Sequence, residues 1–272
     1  MFKIPTLLEM LKAGAHFGHQ KSRWHPKMKP YIFGLRNSVH IIDLEKTTEE
    51  LEKTLSFVKT LASQGKVILF VGTKRQAREA VKIAAESCEM PYLVERWIGG
   101  LLTNFPEVKR RLKKYHTIKE EIANGTIERY TKKEQLNFRK QLEKMDKYLV
   151  GLTALEKIPD ALYVADLRVE KTAVAEAQKT GVKLVAVCDS NVNPLQADYI
   201  IPANDDAVNS IKMMVDLVAE AAKEGRLEWE KNKVSALKVK EDLKSANINI
   251  SQTVAPSAPK KERRAIKKEE SI

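Results

Sequence analysis

Cysteine is nearly absent from this chain: Cys88 and Cys188 are the only two in 272 residues. Two are too few for a disulfide framework, and their spacing is not that of a metal-binding pair. Long apolar runs are missing as well. No stretch approaches the roughly 20 apolar residues of a membrane span. Residues 1–12 are amphipathic but hold no apolar run of signal-peptide length. The expected setting is a reduced cytosol. Glycine-rich phosphate motifs are lacking too. The loop V-G-T-K-R-Q-A at 71–77 has neither the second glycine nor the Lys-Ser/Thr pair of a phosphate cradle, and no three-glycine dinucleotide fingerprint occurs. No serine sits in a G-x-S-x-G context, and neither cysteine has a basic neighbour that would clearly activate it. No catalytic constellation stands up.

Acid is scarce in particular places, and this says more than the formal net charge of +12. Residues 1–40 carry seven Lys/Arg against the single acid Glu9, a net +6, and residues 106–150 carry thirteen against seven, again +6. The short tail 259–272 adds +3, residues 41–105 balance, and 151–258 are slightly acidic. Such segregation points to a polyanionic partner met at defined places. In the stretch 14–46, Lys21, Arg23, Lys27, Lys29 and Arg36 alternate with Trp24, Tyr31 and Phe33, and four of the chain's five histidines fall there: His16, His19, His25 and His40. Cations neutralise phosphates and aromatic faces stack on unpaired bases, so the pattern points to nucleic-acid contact. A solvated basic loop with half-buried aromatics is the plainer alternative.

The rest reads as an open α/β sheet of doubly wound type. Residues 5–13 suggest a short helix with Leu7, Leu8 and Leu11 on one face, stopped by Gly14. Thr47 and Glu50 have capping-box spacing for a helix burying Leu51, Leu55, Val58 and Leu61. Apolar runs at 66–71, 92–95, 161–165, 182–188 and 199–202 alternate with helical patterns, as in a parallel sheet covered on both faces. Residues 104–150 break the rhythm. Val108, Leu112, Tyr115 and Ile122, then Asn124-Gly125, then Phe138, Leu142, Met145 and Leu149 describe an antiparallel helical hairpin, an inserted coiled coil, its second helix opened by Thr131 and Glu134. The expected organisation is an α/β domain in two parts, 1–103 (with a basic loop at 14–40) and 151–228, the insertion 104–150, and a disordered basic tail 229–272.

Three candidate sites follow. Lys74 and Arg75, after the first strand of the sheet, are placed to hold a phosphate, of an RNA backbone or of a small ligand. The glycines of R-W-I-G-G-L-L-T-N-F at 96–105 either let the chain turn tightly or let backbone approach a ligand. Asp189 and Asp205 follow the fourth and fifth strands, at adjacent carboxyl ends. If the G-A-H-F-G-H turn folds over that edge, His16 or His19 completes a small site for zinc or magnesium, though structural hydrogen bonding explains the same residues.

The motifs R-W-H-P-K-M, Y-I-F-G-L-R-N, H-I-I-D-L-E-K-T, F-V-G-T-K-R-Q-A, R-W-I-G-G-L-L-T-N-F, I-P-D-A-L-Y-V-A-D and I-P-A-N-D-D-A, in this order, resemble the bacterial small-ribosomal-subunit protein two family across about residues 5–225. Ala203, His25 and D-S-N-V-N-P depart from the family's usual residues. The resemblance implies a flavodoxin-like α/β domain with a coiled-coil hairpin and a structural, non-catalytic role that requires no cofactor. It implies binding of small-subunit ribosomal RNA where the subunit's head meets its body, and help in docking the large messenger-binding protein. By matching positions, the implied RNA contacts are Lys21, Arg23, Trp24, Lys27, Lys29, Arg36 and Asn37, then Lys74, Arg75, Arg96, Lys109, Arg110 and Arg111. The rival from another class is a flavodoxin-like enzyme or nucleotide-binding protein using the 72–75 loop. A third reading makes the hairpin chiefly a protein-docking arm.

Overall fold

Thr6 opens the first helix, α1 (Leu7–Ala13), through a complete capping box with Glu9, and Gly14 closes it in the left-handed region (φ 76°). The face turned inward is not the leucine face. Met10 and Ala13 are buried, while Leu7, Leu8 and Leu11 are 43, 68 and 44% exposed. Periodicity located this helix but not the side that packs: Met10, not the leucines, enters the core with Leu51 and Leu55. In the computed structural model the chain is described from residue 4 to residue 253, with side chains as far as residue 233.

The basic stretch is not one irregular loop. It folds as a small antiparallel sheet of β1 (Phe17–Gln20), β2 (Ile32–Arg36) and β3 (Val39–Ile42), in the order β1-β3-β2, with two 3-10 turns at Lys21–Arg23 and Pro26–Tyr31. Asn37 and Ser38 both take positive φ (48° and 62°), as a two-residue hairpin turn demands. These strands are short and mostly half exposed, so they carry no apolar run to betray them.

α2 (Leu44–Ser63) begins three residues before the expected cap. Asp43 is the N-cap, accepting from the Glu45 N–H, and Thr47 lies buried inside the helix with its hydroxyl donating to the Pro202 carbonyl at 2.6 Å. Then β4 (Ile68–Val71), α3 (Arg78–Ser87), β5 (Tyr92–Leu93), α4 (Phe105–Ala123), α5 (Lys132–Leu149), β6 (Ala161–Val164), α6 (Lys171–Thr180), β7 (Lys183–Cys188) and β8 (Tyr199–Pro202) follow. The five later strands form one parallel sheet in the order β5-β4-β6-β7-β8, one of the two common doubly wound orders.

Alternate residues of these strands feed two cores. Phe70, Tyr163, Val185 and Ile201 pack with Leu51, Leu55 and Val58 of α2. Leu69, Val71, Leu162, Val164 and Leu184 face the other way, toward Leu101, Leu102 and Ala173. Burial on both faces is why the strands read as unbroken apolar runs. α4 and α5 pack on each other through Val108, Leu112 and Tyr115 against Leu149, with Tyr115 donating to Asp146 at 2.6 Å. α5 opens on the Thr131–Glu134 capping box that the sequence predicts.

The last helix, α7 (Val208–Thr253), completes the first core with Ile211, Met214, Val215 and Val218. It corrects the disorder expected from residue 229. Residues 230–253 contain no glycine or proline to break a helix, and lysine, a good helix former, is their commonest residue. The chain divides into two units, Met1–Trp229 and Glu230–Ile272. The expected basic tail beyond 253 lies outside the described residues. Among the described residues no helix is long and apolar enough to cross a membrane.

Candidate nucleic-acid interface

The turn over the sheet edge forms as anticipated. The Asn204 N–H donates to the Ala15 carbonyl at 3.0 Å and its side-chain amide to the Gly14 carbonyl at 3.1 Å. Ser190, just beyond β7, fixes the chain twice more: the His19 N–H donates to its hydroxyl and the His25 N–H to its carbonyl, both at 2.7 Å. Gly18 permits this closeness, since a Cβ there would lie 2.8 Å from Ser190 Oγ. The small basic sheet is thus fastened to the carboxyl edge of the large one through backbone groups, leaving its cationic side chains free to face outward. Lys21, Arg23, Lys27, Lys29, Arg36 and Asn37 are exposed, and among the described residues none of the five cations makes an ion pair. Trp24 is half-buried, its ring stacked on His40 at 5.1 Å.

Lys74 does something else. Its Nζ lies 3.0 Å from Asp166, 2.8 Å from Asp205 and 2.7 Å from Asp206. Burial opposes its charge, but the hydrogen bonds to Asp205 and Asp206 prevail and hold it well above the usual lysine range. Its charge is committed inside the protein, which sets it apart from the exposed cations of residues 14–40. The neighbouring loop is also used up: the Thr73 N–H donates to the buried Glu170 carboxylate at 2.8 Å, and a Cβ on Gly72 would strike Val81 at 2.7 Å. α3 starts only at Arg78. This loop makes no phosphate cradle, against the small-ligand reading of 72–75. Arg75 alone points out to solvent.

His19, Asp189 and Asp205 do meet. His19 Nδ1 is 3.1 Å from Asp189 and Nε2 3.3 Å from Asp206, while His19, Asp205 and Asp206 each offer an atom within 4.8 Å of the others. Asp205 Oδ2 is buried without a hydrogen-bond partner, which suits a cation. Lys74 already supplies one, so a divalent ion here must compete with an ammonium. Burial, then the charges of Asp166 and Asp189, push Asp205 up to about 7 in spite of Lys74. His16 stays apart, its ring against Phe17 at 3.9 Å.

The glycine turn at 96–105 has an occupant of its own. The Glu176 carboxylate, from α6, accepts from Trp97 Nε1 (2.9 Å), the N–H groups of Gly100 (2.8 Å), Leu102 (3.1 Å) and Thr103 (3.3 Å), and the Thr103 hydroxyl (3.2 Å). Gly100 at φ 85° lets the backbone close around it. Sequence reading singled out the glycines but missed Glu176, as it missed Asp166, Asp206 and Ser190, because each partner lies far away along the chain. The turn leaves Arg96 exposed beside Arg111 and Lys144 in a groove of about 490 Å³, with Tyr148 in its wall. Lys109 is exposed, and Arg110 and Arg111 reach Glu107 at 3.0 and 3.4 Å. Exposed pairs of this kind yield readily to a phosphate.

The family model described as ribosomal protein S2 matches residues 10–225. Two relatives, both named small ribosomal subunit protein uS2, come from Coprothermobacter proteolyticus and Helicobacter hepaticus. Each is 48% identical over 223 residues, covering 82% of this chain and 83 and 84% of their own lengths.

Proposed function

The chain belongs to the ribosomal protein S2 family, structural and non-enzymatic components of the small ribosomal subunit that serve translation, and we propose that it acts there by binding ribosomal RNA through the fastened basic sheet. The observation that carries this is the contrast between backbone and side chains in residues 14–40. The backbone is pinned to the carboxyl edge of β7 and β8, while Lys21, Arg23, Lys27, Lys29 and Arg36 are exposed and unpaired. A rigid array of free cations recognises folded RNA by shape and phosphate position, with no demand on base sequence. Trp24, Asn37, Arg75, Arg96, Lys109, Arg110 and Arg111 extend the contact, and Lys74 supports it from within.

We assign α4 and α5 a second role, as an inserted coiled-coil hairpin that helps dock the messenger-binding protein at the junction of the subunit's head and body. Leu136 and Tyr148 on α5, and Tyr130 in the turn that joins the two helices, are exposed apolar side chains, more than a free helical arm needs. Sedimentation of lysate through a sucrose gradient, with this chain detected in each fraction, tests the main proposal. It should co-migrate with small subunits and whole ribosomes at low salt and be stripped progressively as salt rises. Persistence at the top of the gradient at every salt concentration would reject it. Deleting residues 106–150 should leave that co-migration in place while reducing the messenger-binding protein in the same fractions.

A further inference from the structure

β6 and β7 lie side by side, and the loops that leave their carboxyl ends enclose a cleft of about 680 Å³ against the basic sheet. That volume is within the range of small-ligand sites and far beyond what a single phosphate fills. The chemistry of its wall is one-sided. It contains the cations Arg23, Arg168 and Lys171, the imidazole of His25 and four carboxamides, but no carboxylate. Among the described residues none of the three cations has an ion-pair partner, although the buried acids Asp166 and Glu170 are close by in sequence. Those acids are already engaged, Asp166 by Lys74 and by the backbone N–H groups of Arg168 and Val169, Glu170 by the Thr73 N–H. Asn191 adds an independent sign. Its Oδ1 is buried without a hydrogen-bond partner, an acceptor waiting for a donor.

From this arrangement we infer that the cleft takes one unpaired nucleotide, its phosphate held by Arg23, Arg168 and Lys171 and its base edge met by Asn191 and Gln196. Cations without competing acids suit a phosphate. Gln178 Nε2 already donates to the Gln196 carbonyl at 3.1 Å and Asn193 Oδ1 accepts from the Leu195 N–H at 3.2 Å, which leaves the Asn191 and Gln196 side chains to offer the paired donor and acceptor that a base edge needs. A base inside a duplex cannot enter such a recess, whereas one splayed from a loop or bulge can. The inference deepens the RNA-binding proposal and rests on it for the source of the nucleotide, an RNA strand in preference to a free mononucleotide.

The test uses the full chain, small-subunit ribosomal RNA and a photo-reactive residue in place of Gln178 at the cleft rim. Cross-linking should capture a nucleotide that is unpaired in the folded RNA, and the double variant Arg168→Gln/Lys171→Gln should lose it. Removing two of the three cations from that phosphate should lower affinity about tenfold and make the slope of log affinity against log salt shallower by at most about 0.7. Both residues are exposed, so the variant keeps its fold. Lys27→Gln/Lys29→Gln, outside the cleft wall, is the comparison, expected to weaken binding while keeping the cross-link. If wild type binds RNA, the comparison variant weakens it, and Arg168→Gln/Lys171→Gln changes neither affinity nor slope, the cleft inference is overturned and the wider proposal stands. If wild type binds no RNA, the wider proposal fails, and calorimetry with adenosine and guanosine 5′-monophosphates decides the cleft. Binding lost in Arg168→Gln/Lys171→Gln then supports a free-nucleotide site, and no binding overturns it.

Discussion

His19 lies between two carboxylates, Nδ1 at 3.1 Å from Asp189 Oδ2 and Nε2 at 3.3 Å from Asp206 Oδ2. Only the imidazolium satisfies both at once. Contact with Asp189 raises its pKa above 6.5, burial opposes this, and the charges of Asp189, Asp205 and Asp206 add to the rise. A group raised on folding contributes stability that is complete below its unfolded value and lost as pH climbs through the folded one. Wild type should therefore exceed His19→Gln by about 1.5 kcal/mol at pH 5.5, with the gap shrinking by pH 8.5. Asp205, also raised, lowers stability in the same direction as pH rises from 3.8 to about 7. Melting temperatures of both proteins across this range are the check, and a gap independent of pH would remove His19 as its source.

Lys74 balances three carboxylates, two of them buried. Lys74→Met should cost about 3 kcal/mol in urea unfolding, since it strands charges already removed from water. Adding Asp205→Asn to that variant should recover part of the loss, because the two sites share one network. The same variant examines the metal expectation. With the ammonium gone, zinc should raise the melting temperature of Lys74→Met more than that of wild type. Equal shifts would show that ion and lysine do not compete for His19, Asp205 and Asp206.

Glu176 organises the turn between β5 and α4 by accepting five hydrogen bonds. Truncation to Ala leaves an indole N–H and several backbone N–H groups without a partner and should cost about 3 kcal/mol, whereas Glu176→Gln keeps one acceptor and should cost about half. Burial works against its charge, but the donors from Trp97 and the turn lower its pKa below the usual value. Its contribution is present above the unfolded pKa and fades as pH falls through the folded one. The near-ultraviolet circular dichroism that wild type has and a Trp97→Phe variant lacks, followed from pH 7 to pH 3, reports on the turn. An unaltered signal in Glu176→Ala would show that the turn holds without it.

What the sequence disclosed follows from how local each cause is. β4 and β6 to β8 are buried on both faces, so their apolar runs are visible in isolation, as is the Thr131–Glu134 box whose partners sit three residues apart. Thr47 and Glu50 have the same spacing but sit inside α2, because Asp43 caps first and Thr47 is drawn to Pro202, 155 residues away. Leu7, Leu8 and Leu11 have helical periodicity yet stay exposed, since only the assembled edge decides which face of α1 packs. Lys74 was legible as a cation after a strand. Its acids, 92 and 131 residues distant, were not legible as its partners.

Gly18 tests whether the anchoring of the basic sheet matters apart from its charge. Gly18→Ala would bring a methyl group 2.8 Å from Ser190 Oγ, with Ser190 Cβ and the His40 carbonyl at 3.1 Å. One of these neighbours is backbone, so the strand must shift, and the expected cost is about 1–2 kcal/mol of overpacking strain. No cation is lost, yet incorporation into small subunits should fall, because Lys21 and Arg23 move with the strand. Pairing Gly18→Ala with Ser190→Gly removes the nearest clash along with the Ser190–His19 bond. The double variant should therefore be less destabilised than the two single effects added together. Strict additivity, with incorporation as low as in Gly18→Ala alone, would mean that the contact with Ser190 does not set the position of the basic sheet.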